Sequence, residues 1–241
     1  MISVKGQILQ NVPFQLSIRQ QVIFNALKKS ENVHRYDTIY LLAFDLMLRE
    51  KIIEASLKLY ESNIKFAPFK ISKFNTAFWI KTPSGYRLRP NVRPSDAIRD
   101  IYTNSHMYAF ECSTAIVIIY YYAVLQVINE QAFNQLFSQL LVWNWSYDED
   151  LRIITRVGTD FIPGDVLYFH NPDYADPVWL GENVVMLDDH TYFGHGIGVG
   201  PAEYIIQGLN TLRKPNATRS AYLLSQYSRL DFRYLAQFSN M

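Results

Sequence analysis

Cys112 is the only cysteine in the chain. It follows a polar stretch, Thr103-Asn104-Ser105, and opens an 18-residue run, 112–129, that carries no charge. A thiol in the first turn of a helix sits among backbone N–H groups with no intrahelical acceptor, at the positive end of the helix dipole. Both features stabilise a thiolate, and the oxyanion that forms when sulfur attacks a carbonyl. For an isolated cysteine, a small buried core residue is the equal alternative. Two carboxylates and an imidazole are its candidate partners. Glu111 adjoins the cysteine, and Glu182 stands beside a glycine at the head of an apolar run. A packed core would reject a carboxylate at either place unless it were used. His195 lies in the next such run, and its ordinary pKa suits a general base at neutral pH.

The elements around these residues are legible in outline. Asp37 can cap a helix running through Glu50, with Ile39, Leu42, Leu46 and Ile53 at helical spacing. Asp45 with Arg49, and Glu54 with Lys58, are i,i+4 pairs expected on its solvent side. Residues 66–80 read as irregular or extended, Thr82-Pro83-Ser84-Gly85 as a turn, and 87–93 as a linker. A short helix is predicted over 95–101, the long apolar helix over about 111–130, and another over 131–140. Short β-type runs follow at 141–145, 152–157, 166–169, 183–187 and 192–199. Helices are then expected around 203–213 and 220–230. Helices, a meander of strands, then helices make an α+β layout with a mostly antiparallel sheet.

Composition excludes several classes. Hydrophobic residues are 49% and charged residues 19% of the chain, the reverse of a disordered segment. A net charge of +1 with no basic cluster argues against nucleic acid as a partner. A lone cysteine permits no intramolecular disulfide. The charge-free run contains Ser113, Thr114, three tyrosines, Gln126 and Asn129, so a buried central helix is expected rather than a membrane span. The first ten residues lack an apolar core of signal-peptide length, so synthesis in the cytoplasm is expected. His34, His106, His170 and His190 have no metal-type spacing and read as surface or loop residues; no metal or cofactor is expected. The glycines at 194, 196, 198 and 200 lack the nucleotide-binding spacing; in one strand they would share a face opposite His195, Ile197 and Val199.

The segment Pro163-Gly164-Asp165-Val166-Leu167-Tyr168-Phe169 resembles the strand-initiating word of the papain-like NlpC/P60 cysteine hydrolases. In that superfamily a cysteine begins a helix, and strands carrying a histidine and a third polar residue follow. The order fits here, but Glu182 stands where the superfamily places its histidine. Four further words, Tyr108-Ala109-Phe110-Glu111-Cys112, Trp179-Leu180-Gly181-Glu182-Asn183-Val184, Tyr192-Phe193-Gly194-His195-Gly196 and Ser220-Ala221-Tyr222-Leu223-Leu224-Ser225-Gln226, are similar to those of the spore-coat protein-glutamine gamma-glutamyltransferases of bacilli. The likeness spans nearly the whole chain. Serine at 113 and glycine at 194 stand where the family is expected to carry alanine.

The resemblance implies a calcium-independent transglutaminase. It would act on proteins bearing reactive glutamine and lysine, with no nucleic-acid or membrane partner, and be made in the mother cell and then built into the spore coat. It implies one domain over 1–241, with a helical part over 1–94 and a catalytic core over 95–241. It further implies that Cys112 works with Glu182 and that Glu111 contributes. Trp179 and Asn183 are the candidate substrate contacts. Between unperturbed groups, proton transfer from cysteine to glutamate is uphill by about 4 pKa units. Burial of Glu182 and the charge of Glu111 would narrow that gap, with the two carboxyls titrating as a pair and the thiol neutral at rest. His195 as direct base, oriented by Glu182, is the rival arrangement. A cysteine amidase or peptidase of the NlpC/P60 type is the alternative activity, and a non-catalytic coat protein the remaining one.

Overall fold

The computed structural model describes residues 1–239. Its centre is a six-stranded antiparallel sheet in the order Gly198–Gly200, Tyr192–Gly194, Gly181–Met186, Val166–His170, Tyr222–Leu230, Ile153–Val157. Alternation along the strands sends Val166, Val185 and Phe193 to one face and Leu167, Val184 and Tyr192 to the other. The first face packs on the helix Cys112–Val127, the second on Ile205 and Leu209 of the helix Ala202–Asn210. The expected α+β class with a mostly antiparallel sheet on a central helix is what is found.

Every residue of Cys112–Val127 is buried except Tyr122 and Gln126. A helix apolar all round must be enclosed on all sides. The sheet covers one side and the long helix Ile39–Glu61 another. No helix among the described residues is long and apolar enough to cross a membrane. One continuous core holds Ile23, Leu42 and Phe44 from the N-terminal part together with Ile116, Ile119 and Val185.

Several local expectations are corrected. Thr38, not Asp37, caps the long helix, its hydroxyl accepting from Leu41 N–H. Asp45 and Arg49 are not on the solvent side but buried: Arg49 binds Asp45, Asp165 and the Pro163 carbonyl, and Arg229 holds Asp165 from the other side. The network fastens the long helix to the Pro163-Gly164-Asp165 turn that launches a central strand. Gly164, at φ +91°, lets that turn approach Arg49 closely; a Cβ there would lie 3.0 Å from the arginine's own Cβ. Arg49→Met would strand Asp45 in the interior and is expected to cost about 3 kcal/mol, read from denaturant unfolding. Lys58 reaches the Tyr122 hydroxyl instead of Glu54, which pairs with Lys51.

Residues 222–230 form a strand, not a helix. Their apolar spacing suits either, and edge-to-edge pairing with both Val166–His170 and Ile153–Val157 decides it. Residues 192–199 form a hairpin, not one strand: Tyr192–Gly194 pairs back on Gly198–Gly200, leaving His195, Gly196 and Ile197 as its turn. The 79–93 region holds a second hairpin, Trp79–Thr82 with Gly85–Leu88, joined by Leu141–Val142. A three-stranded sheet, Gln7–Ile8, Ile2–Val4 and His34–Tyr36, precedes the long helix, and a helix over Ile18–Lys29 is capped by Ser17. His34 is therefore a half-buried strand residue, its Nε2 3.5 Å from Asp160.

Candidate active site

Cys112 is the first residue of the central helix and only 6% exposed. Glu111 is the residue that caps this helix. Its carboxylate accepts from the N–H groups of Ser113 and Thr114 and from both of their hydroxyls. The hydroxyls carry the bonding on to the turn Trp143-Asn144-Trp145-Ser146. Thr114 accepts from Asn144 N–H, and Ser113 meets the Asn144 side chain at 2.8 Å. The Ser113 hydroxyl thus has two acceptors in reach, Glu111 Oε2 and Asn144 Oδ1, and its one proton serves one of them at a time. Both oxygens of Glu111 are thus engaged in holding the helix start and the tryptophan turn together.

Glu182 is fully buried in the strand Gly181–Met186. The neighbouring strand pairs only as far as Val184 with Gly194, then turns away. Glu182 projects into the space left by that turn, where Gly196 N–H donates to Oε1 at 3.0 Å. Gly194 makes the room: a Cβ there would lie 2.8 Å from Glu182 Cγ and 2.9 Å from Oε1. Oε2 is buried without a hydrogen bond to any described group. Burial pushes this carboxyl up to about 8; the Gly196 N–H and the Cys112 thiol pull the other way, and the Glu111 charge adds only the last upward contribution. Burial likewise drives the thiol well above its usual range, followed by the charges of Glu182 and Glu111, while Asn183 N–H groups lower it. The resting pair is a neutral thiol facing a carboxyl that titrates near neutrality.

Asn183 turns to the opposite face of its strand from Glu182, towards the helix, and its Nδ2 lies 3.6 Å from the sulfur. His195 is placed otherwise. Its Nε2 lies 3.1 Å from the Phe110 carbonyl oxygen, and its ring stands beside Phe110 and Phe66. Burial lowers its pKa to about 4, against the Phe110 bond and the Glu111 charge. A neutral ring whose Nε2–H is given to a carbonyl braces the hairpin turn against the strand that leads into Cys112. Trp179 stacks on Phe66 at 4.4 Å and packs under Gly196, where a Cβ would lie 2.8 Å from its ring. It supports the turn that binds Glu182 and does not line the space in front of the sulfur.

That space is a cavity of about 750 Å³, lined by Cys112, Asn183, Tyr168, Trp143, Trp145 and Tyr147, among others. Trp143, Trp145, Tyr147 and Tyr168 are not among the candidate residues of the sequence. Asn144 between two tryptophans was the available signal: it adopts φ +53°, a left-handed conformation that asparagine tolerates in tight turns.

A thiol at a helix start, a buried carboxyl of raised pKa beside it and an aromatic cavity in front suit acyl transfer from an amide. Comparison with known proteins agrees. The family model for protein-glutamine gamma-glutamyltransferase matches residues 1–239. The chain belongs to this family. A protein-glutamine gamma-glutamyltransferase of Bacillus pumilus is 43% identical over 243 residues, 98% of either chain. One from Bacillus cereus is 41% identical over 224 residues, 92% of this chain and 81% of the relative. The solved transglutaminase from Geobacillus stearothermophilus, without its C-terminal extension, is similar at a TM-score of 0.80 and 48% identity, covering 84% of this chain and 98% of that one. The enzyme is thus a transglutaminase, an acyltransferase acting on protein substrates.

Proposed function

We propose that this glutamyltransferase works through a thioester on Cys112, with Glu182 as the proton carrier. The observation that carries the reading is the buried Glu182 carboxyl, its Oε2 free of other partners, close enough to the thiol for each to shift the other's pKa. As sulfur bonds to the glutamine γ-carbonyl carbon, the carbonyl π pair moves to oxygen and the thiol proton passes to Glu182. The Cys112 N–H at the helix start stands ready for that oxygen. Collapse of the adduct expels ammonia, which takes its proton from Glu182, and leaves the thioester. A lysine amine then attacks the same carbon, Glu182 accepts the amine's proton, and sulfur leaves with a proton returned by the carboxyl. The product is an ε-(γ-glutamyl)lysine isopeptide bond.

The resemblance to the spore-coat enzymes supports a reaction independent of calcium. It supports synthesis in the mother cell, substrates among coat proteins and a final place in the coat. It also supports one transglutaminase domain with a catalytic core from residue 95 onward. Incorporation of a fluorescent primary amine into a glutamine-rich protein, with EDTA present, tests the activity. Undiminished incorporation is expected. Ammonia release without incorporation would instead indicate an amidase, and activity restored only by calcium would overturn the metal-independent scheme.

A further inference from the structure

The opening turn of the central helix distributes its N–H groups unequally. The first intrahelical bond runs from Ala115 N–H to the Glu111 carbonyl, so the N–H groups before it need other acceptors. The Glu111 carboxylate takes those of Ser113 and Thr114. Cys112 N–H alone among these three finds no acceptor among the described residues. The Asn183 side chain is similarly under-used. It is 8% exposed, lines the cavity, and makes a single hydrogen bond, from Nδ2 to Sγ at 3.6 Å. Its remaining hydrogen-bonding capacity faces the cavity, where a bound ligand can use it.

We propose that Asn183 Nδ2 is the second donor of the oxyanion hole, acting with Cys112 N–H on the glutamine γ-carbonyl oxygen. This rests on the thioester reading above. In the free enzyme the amide donates to sulfur at the long distance that suits a thiol acceptor. When a carbonyl carbon bonds to that sulfur, its oxygen is carried to one side of it, into the reach of a donor 3.6 Å from Sγ. The donor then passes from sulfur to the atom that gains charge. It is stronger for the tetrahedral adduct than for the resting thiol, which is the condition for lowering the barrier. Glu182 and Asn183 are consecutive residues on opposite faces of one strand. One strand end therefore supplies both the proton acceptor and the oxyanion donor.

Tyr168 supports the arrangement. It pairs across the sheet with Asn183, lines the same cavity, and its hydroxyl makes no hydrogen bond to a described residue. Gly181 clears its path: a Cβ there would lie 2.4 Å from the phenol oxygen. The opposite neighbour, Tyr222–Leu230, breaks register at this level, between the pairings of Leu167 and Phe169. Bulges of this kind re-aim side chains at functional sites.

The test separates carbonyl activation from thiol reactivity. Asn183→Ala and the volume-preserving Asn183→Leu are compared with native enzyme in two assays at one pH: single-turnover ammonia release from a glutamine peptide, and alkylation of Cys112 by iodoacetamide. Alkylation forms no oxyanion. Ammonia release should fall by about 10²–10³-fold in both variants, while alkylation, which loses only the weak amide bond to sulfur, should fall by less than about tenfold. Ammonia release within threefold of native would overturn the proposal. So would a fall in alkylation matching the fall in acylation, since Asn183 would then act on the thiol. Failure of the thioester reading itself would show in the native enzyme, as absence of an acylated Cys112, before any Asn183 variant is compared.

Discussion

Cys112→Ala is expected to reduce amine incorporation to background, a loss on the order of 10⁵-fold or more, as the proposed thioester on Cys112 requires. Its effect on stability should be small. The change removes one sulfur atom from a side chain that already opens on a cavity, about 1 kcal/mol of burial and a weak bond from Asn183. Activity should vanish while the melting temperature moves by a few degrees at most. That contrast separates a nucleophile from a core cysteine. Were Cys112 merely packing, the variant would melt lower and still turn over.

Glu182→Gln is expected to lower acylation by about 10³-fold and to change its dependence on pH. A base must be ionised to accept the thiol proton. With a carboxyl whose pKa is pushed up to about 8 by burial, kcat/KM for ammonia release should climb about tenfold per pH unit below that value and level off above it. The acyl step is the one to follow, because lysine's own titration would steepen the profile of the full reaction. In the glutamine variant the limb near pH 8 should disappear. Stability should move in the opposite sense to activity. In the folded protein the carboxyl holds its proton up to about 8, whereas in the unfolded chain it loses it near the ordinary 4.5. Its contribution to stability is fully present below the lower value and is lost as pH rises through the higher one. Glutamine has no proton to lose, so the variant should gain stability relative to native enzyme across that window and keep the gain above it. An inactive protein that melts higher at pH 8 than at pH 5, relative to native, is the joint signature. If Glu111 supplied the base instead, Glu182→Gln would retain activity.

The roles of these two residues were unequally legible. The helix from Cys112 announced itself by its charge-free run, and burial of all but Tyr122 and Gln126 is the reason such a run exists. Glu182 was identified through its surrounding word. The reason its carboxyl can serve lies in an event remote in sequence, the early end of strand pairing at Gly194 and the turn that follows. An alternation of glycines from 194 to 200 looks like one strand, and only the pairing of Tyr192–Gly194 with Gly198–Gly200 converts it to a hairpin. Glu111 was expected to perturb Glu182, and it does so least of the contributing groups. Glutamate is an uncommon helix cap, so nothing local signalled that its oxygens would be taken by Ser113 and Thr114.

Asp45–Arg49 and residues 220–230 depart from their local pattern for a different, shared reason. Asp45 with Arg49 has the spacing of an exposed ion pair, but Arg49 is answered by Asp165, more than a hundred residues on and itself held by Arg229, Asp45 also accepts from the Tyr36 hydroxyl, and the helix carrying the pair is enclosed. Residues 220–230 have an apolar pattern that fits either element, and the two strands flanking them settle the matter. In each case the deciding partner is distant in the chain. Trp179, expected at the site's wall, shows the same limit: it lies within the signature word, yet stacks on Phe66 from a separate segment.

The most direct measurement is the intact mass of the enzyme after brief mixing with a glutamine peptide and no amine, quenched in acid. An adduct equal to the peptide less ammonia is expected on Cys112 alone, released by hydroxylamine and absent from Cys112→Ala. Cross-linked product formed without any such adduct, or an adduct on another residue, would contradict the Cys112 thioester.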